Sequence, residues 1–195
     1  MPPKKLVIDA SISHASDTKL CRDVLKTVLD NRYHVIMSYQ LWDEWKRHKG
    51  RYARIWLKTM IERSRLYRQN VMPNDAFREK LFAFHEIKRD PTVKLIIMKD
   101  LHLIEAALET DKTVISLDNQ VREHFKRASV SVEELKVIVW VNPKEPEENA
   151  IYWLEYGARP DNFRMLGYVN PDDKKYRAGH ISKRYIKKLF KRGES

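Results

Sequence analysis

Short apolar runs alternate along the chain with longer stretches in which apolar residues recur every three or four positions. Lys5–Ile8 (KLVI) reads as a strand that ends at Asp9, and residues 34–37 (HVIM) as a second. Residues 113–117 (TVISL) are β-branched and apolar, which suits a strand buried on both faces, and residues 136–141 (KVIVWV) read as the last strand. Residues 18–31 place Leu20, Val24, Thr27 and Val28 on one helical face. Ser38 is positioned to cap a helix containing Leu41, Glu44 and Trp45. Helical spacing continues after Gly50 to about Asn70 and again over residues 76–88, and the Asp90-Pro91 pair interrupts it. Leu101, Ile104, Ala107 and Leu108 mark a helix opened by Asp100, and residues 121–128 a further one. Residues 11–17 read as a polar connection, and residues 93–98 (VKLIIM) as either a short strand or a buried turn.

Strands of this kind separated by helices imply an α/β fold with a central, mostly parallel sheet and helices on both faces. The 195 residues suffice for one domain with a substantial core and an appended segment. Asn142-Pro143 closes the sheet portion, so the expected division is 1–142 and 143–195. The second part holds a helix near residues 147–156, a loop at Arg159-Pro160-Asp161 and a basic tail. Neither an internal repeat nor a low-complexity segment is evident.

Charge changes the picture. A net charge of +11 and a pI near 9.6 suit a protein with a polyanionic partner. Residues 46–68 hold Glu62 as their only acid, and residues 174–192 hold none. Lys46, Arg47, Arg51, Arg54 and Lys58 are the cations placed to grip a phosphate backbone, and Tyr52, Trp56, Tyr67, Tyr176 and Tyr185 are interleaved with such cations. Aromatic rings stack on unpaired bases, so a nucleic acid is the favoured partner. A membrane surface or a solvated face is the alternative, and core packing is the alternative for Trp56, Leu57 and Ile61.

Several classes are disfavoured. No apolar run approaches the ~20 residues of a membrane span, and no signal region precedes the first strand, so no membrane association is expected. The single Cys21 permits no internal disulfide, in keeping with a cytoplasmic location. With five Gly the chain has no phosphate-binding loop. His14 and His48 lack partners at zinc spacing, and nothing resembles a nucleophile elbow. His102 reads as a packing or hydrogen-bonding residue.

The candidate chemistry lies in four acids. Asp9 follows the first strand, Asp118 follows the strand at Thr113, Asp100 heads the helix before it, and Glu44 lies about two turns into the helix after the second strand. Ligands of open α/β sheets bind at the carboxyl ends of the strands. Four carboxylates gathered there repel unless cations separate them, and Mg²⁺ or Mn²⁺ takes oxygen ligands of this kind. Such ions activate water for phosphodiester cleavage. Each acid also has a structural reading: Asp9, Asp100 and Asp118 as helix or loop caps, Glu44 as a solvated helix residue like Asp43.

In this order, LVIDASI, SYQLWDEW, KDLHLIEAAL and VISLDN resemble the motifs of the PIN domain, a family of metal-dependent ribonucleases. The resemblance covers about residues 6–141. It implies a PIN-like three-layer fold, a Mg²⁺ or Mn²⁺ site, and cleavage of single-stranded RNA. It assigns Asp9, Glu44, Asp100 and Asp118 to the metal and the catalysis, and Ser11 to supporting the first acid. Asn119 also supports the site, standing where some members carry a further acid. Many small members are toxins of toxin–antitoxin pairs and others process RNA. The partners this implies are RNA and, for a toxin, an antitoxin protein; a homodimer is a further candidate. The rival expectation is a non-catalytic RNA- or protein-binding module on the same fold.

Overall fold

The computed structural model describes residues 3–47 and 50–169. Lys5–Ile8 (β1), His34–Ser38 (β2), Leu66–Gln69 (β3), Thr113–Ile115 (β4) and Val139–Val141 (β5) form one sheet in the order β3-β2-β1-β4-β5. Every pairing is parallel, with Val7 opposite both Ile36 and Val114. Leu6, Val7 and Ile8 are fully buried, as are all three residues of β4. A central parallel strand has helices on both faces and therefore no polar side. β3 is an edge strand, and its Tyr67 and Arg68 are exposed.

The helices are Ala10–His14 (α1), Lys19–Asp30 (α2), Tyr39–Arg47 (α3), Arg51–Glu62 (α4), Asp75–Ala83 (α5), His85–Arg89 (α6), Pro91–Leu108 (α7), Asn119–Ala128 (α8), Glu133–Lys136 (α9) and Ala150–Glu155 (α10). The chain steps one way from β1 to β2 to β3 and the other way from β4 to β5. Right-handed crossovers then put the α2–α4 layer on one face and α8 on the other. Accordingly α2 packs against α4 and α10, while α7 packs against β1, β2, β4 and α8. Two tryptophans lock the first layer. The Trp45 indole N–H donates to the Ile8 carbonyl at 2.9 Å, and that of Trp56 to the Leu25 carbonyl at 2.6 Å. Their rings lie 5.4 Å apart, so α3 and α4 are held together over β1.

Four local expectations change. The helical pattern after Gly50 stops at Glu62, and the chain turns through Ser64 at φ 54° to enter β3. The exposed edge position explains why residues 66–69 carry no apolar run. Asp90-Pro91 starts a helix rather than interrupting one: the Asp90 carboxylate accepts from the Thr92 and Val93 amides, with Pro91 in the first turn. Residues 93–98 are accordingly neither strand nor buried turn but part of α7, and Asp100 lies within that helix instead of opening it. Residues 11–17 are not all connection, because α1 forms directly after Asp9.

The core continues past Asn142. Ala150, Trp153, Leu154, Ala158 and Leu166 belong to the same buried cluster as the strands. The Tyr33 hydroxyl donates to the Leu154 carbonyl at 2.5 Å, and the Leu166 amide to the Ile138 carbonyl at 2.9 Å. Residues 174–192, with Tyr176 and Tyr185, and also His48, lie outside the described residues. Among the described residues no helix is long and apolar enough to cross a membrane.

Candidate active site at the carboxyl ends of the strands

The strand order reverses direction between β1 and β4, and such a switch point opens a crevice at the carboxyl ends. Asp9 leaves β1 there, and its amide donates to the Ile115 carbonyl of β4 at 2.9 Å. Two hydroxyls converge on its carboxylate: Ser11 Oγ donates to Oδ2, and Ser116 Oγ donates to the same atom at 2.7 Å. These hydroxyls in turn accept from the Leu117 and Asp118 amides, both at 3.1 Å. The result is a rigid knot that holds Asp9 in one orientation although it is 9% exposed. Ser11 was legible as a supporting residue. Ser116 was not, because a Ser inside an apolar strand gives no signal until the neighbouring strand is known.

Asp100 reaches this crevice from α7, which crosses the sheet over β1, β2 and β4. It is also 9% exposed. Burial pushes its carboxyl up to about 6, reinforced by the negative charges of Asp9 and Asp118; Lys99 and His102 pull the other way. Asp9, Asp100 and Asp118 therefore share one electrostatic environment. Asp100 is not a cap, since Asp90 fills that role for α7. Asp118 is one: its Oδ1 accepts from the Val121 amide at 2.9 Å at the start of α8.

Glu44 stands one step aside. Its Oε2 lies 3.3 Å from His102 Nε2, and Gln40 Nε2 donates to its Oε1 at 3.2 Å. Burial opposes its ionisation, but the contacts with His102 and Gln40 outweigh that and hold the carboxyl below its ordinary value. His102 Nδ1 is 3.0 Å from the Lys99 carbonyl, which also accepts from Gln40 at 3.3 Å. Glu44 is thus tied to the helix that carries Asp100. His102 and Gln40 are its positioning residues; the sequence marked His102 as a packing or hydrogen-bonding residue and carried no sign of Gln40. Asn119 is bonded to the segment after β5 instead of to the acids: it accepts from Asn142 Nδ2 at 2.8 Å and donates to Glu145.

The basic residues lie on α3 and α4. Lys46 and Arg47 close α3, with Lys46 2.9 Å from Asp43, and Arg51, Arg54 and Lys58 are exposed along α4. Trp42 lies between two cations, 5.9 Å from Lys46 and 5.1 Å from Arg68. Trp56 is 2% exposed and Leu57 5%, so they serve the core; Ile61 is 49% exposed.

A cation fits this site by donor chemistry, because carboxylate oxygens suit Mg²⁺ or Mn²⁺ and, after burial, the negative charges of Asp9 and Asp118 add to the raising of Asp100. The side chains stand apart nevertheless: among the described residues no three His, Cys, Asp or Glu converge closely enough to hold a metal together.

The two roles of Asp118 separate by substitution. Asn caps a helix about as well as Asp, whereas Ala loses about 0.5–2 kcal/mol. Asp118→Asn is expected to melt within a few degrees of the parent, and Asp118→Ala clearly below it. A ligand role shows as loss of Mn²⁺-induced stabilisation in both variants. An Asp118→Asn protein that responds to Mn²⁺ like the parent would make Asp118 a cap alone.

Comparison of the chain with protein-family models, curated proteins and solved structures finds no match.

Proposed function

We propose that the chain is a PIN-like, divalent-metal-dependent endoribonuclease acting on single-stranded RNA. The observation that carries this reading is the placement of Asp9 and Asp118 after adjacent strands at the switch point, with the buried Asp100 in electrostatic contact with both. Asp9, Asp100 and Asp118, with Glu44 beside them, are the residues that would hold Mg²⁺ or Mn²⁺. The bound ion supplies Lewis acidity toward a phosphodiester and lowers the pKa of water. Ser11 and Ser116 keep Asp9 aimed into the crevice, while His102 and Gln40 hold Glu44 to α7. Burial and the neighbouring acids raise the proton affinity of Asp100, and a bound cation would lower it again and keep the carboxylate ionised. Lys46, Arg47, Arg51, Arg54 and Lys58 offer an exposed cationic row for the strand's phosphates, and Trp42 a ring beside it. Within this class, toxin and RNA-processing roles share the same chemistry.

The separation of the carboxylates favours a second reading, an RNA-binding module without turnover. A cleavage assay on single-stranded RNA decides between them. The expected result is cleavage with Mg²⁺ or Mn²⁺, arrest by excess chelator, and loss in Asp9→Asn. Metal catalysis is worth several kcal/mol, so the loss should be on the order of 10²–10³-fold or more. Binding without cleavage, unaffected by Asp9→Asn, would establish the second reading.

A further inference from the structure

At the opposite pole of the sheet, where the strands begin, lies a cavity of about 930 Å³. Its lining includes Lys4, Arg32, His34, Arg63, Arg65 and Arg159, with Glu155 as the one acid. The cations come from separate parts of the chain: the start of β1, the turn between α2 and β2, the turn between α4 and β3, and the loop after α10. Their convergence is a product of the fold, since no two of these segments are adjacent in sequence.

Helix ends explain part of this charge. α2, α4 and α10 all terminate here, and each carbonyl end carries about −0.5 of a charge. One cation serves those ends directly: Arg65 Nη1 donates to the Leu29 carbonyl at 2.8 Å, while Lys4 Nζ donates to the Ala158 carbonyl in the loop after α10. Three such ends and Glu155 together contribute roughly −2.5, against five permanent cations from Lys4, Arg32, Arg63, Arg65 and Arg159. Of the other nearby carboxylates, Asp30 pairs with Lys26 at 2.8 Å and Asp161 with Arg164, while Asp111, held by the Lys5 amide at 2.7 Å, adds one further negative charge. Arg32, Arg63 and Arg159 are exposed and form no ion pair among the described residues. Positive charge remains in excess.

We propose that this cavity is an anion site for a multiply charged phosphate group, distinct from the carboxylate crevice and independent of whether that crevice cleaves RNA. Guanidinium groups present planar pairs of donors that match phosphate oxygens. The volume is that of small-molecule sites and exceeds what a single phosphate needs. The ligand is therefore a phosphate ester of nucleotide size, either a free nucleotide or the phosphorylated end of an RNA strand. Mutual repulsion supports the assignment. Burial and then the charges of Arg63 and Arg32 depress Arg65, and burial followed by Arg65 and Lys5 depresses His34. A bound anion relieves both.

The test is isothermal titration of the full chain, in chelator so that RNA stays intact. The probes are tripolyphosphate, ADP, and a short RNA bearing a 5′-phosphate or a 5′-hydroxyl. Tripolyphosphate is expected to bind, and the combined Arg32→Gln, Arg63→Gln, Arg159→Gln variant to bind at least about tenfold more weakly, as loss of charge-assisted hydrogen bonds implies. Glu155→Gln should bind more tightly than the parent, a gain that a misfolded variant would not give. Combined Arg51→Gln, Arg54→Gln, Lys58→Gln should leave tripolyphosphate affinity unchanged. Preference for ADP identifies a free nucleotide, and preference for the 5′-phosphorylated RNA identifies a strand end. Failure of the parent to bind any probe, or unaltered binding by the Arg32, Arg63, Arg159 variant, overturns the site.

Discussion

Asp100→Asn is expected to remove RNA cleavage and, without metal, to make the protein more stable at neutral pH. Both effects have one source. Burial, then the charges of Asp9 and Asp118, raises the Asp100 carboxyl from 3.8 to about 6. An acid whose pKa is raised by folding binds its proton more tightly in the native state than in the unfolded one. Between about pH 4 and pH 6 the unfolded chain has lost the proton and the native one retains it, so stability falls as pH rises. Above pH 6 the full penalty is in place, worth up to about 3 kcal/mol. The amide carries no charge and avoids it. The variant and parent should therefore melt together near pH 4 and diverge toward pH 7, the variant being higher. At about 2–4 °C per kcal/mol, a gap of several degrees is readable. Added Mn²⁺ should narrow or reverse that gap, because binding to the folded parent stabilises it by mass action. Equal melting temperatures across pH 4–8 would mean that Asp100 carries no electrostatic burden and is not part of a cation site.

Much of this architecture was readable from hydrophobic spacing. β1, β2 and β4 are apolar runs of three to five residues, and short buried parallel strands leave that imprint without further help. Ser38 and Asp118 were legible as caps because cap chemistry is local. β3 was not legible. An edge strand needs only one paired side, so Tyr67 and Arg68 can be polar and exposed, and the preceding helical pattern runs into it unbroken. Asp90-Pro91 carries two opposite meanings, since a Pro ends a helix before it and begins one after it.

Asp9 and Asp118 were singled out by their positions after strands and Asp100 and Glu44 by theirs on helices, but the arrangement of the four acids depends on contacts that sequence does not reveal. That Glu44 pairs with His102 rather than joining Asp9 follows from how α3 lies against α7. That Ser116 braces Asp9 follows from β4 lying beside β1. The basic cavity is further from view still, because its cations are drawn from four separate turns and loops.

The segment after Asn142 yields the largest expected loss of stability, through Glu148. This carboxylate is 3% exposed and meets two guanidinium groups, Arg122 of α8 at 2.6 Å and Arg164 at 3.3 Å. Arg164 also pairs with Asp161, donates to the Glu148 carbonyl and lies 4.2 Å from the Phe163 ring. Burial raises Glu148 and lowers Arg164, and in each case the partners only partly offset it. Desolvation therefore exceeds attraction for both ions, so the network is not a source of net stability in itself. Breaking it is another matter, because Glu148→Ala leaves the half-buried Arg122 and the buried Arg164 without their common counter-ion. The expected cost is about 3–5 kcal/mol, whereas replacing all three charges with apolar residues of similar volume should restore most of it. Urea unfolding of the single and triple variants measures both. A Glu148→Ala loss below about 1 kcal/mol would make the segment after Asn142 an accessory to the core rather than part of it, and truncation there would then leave a folded protein.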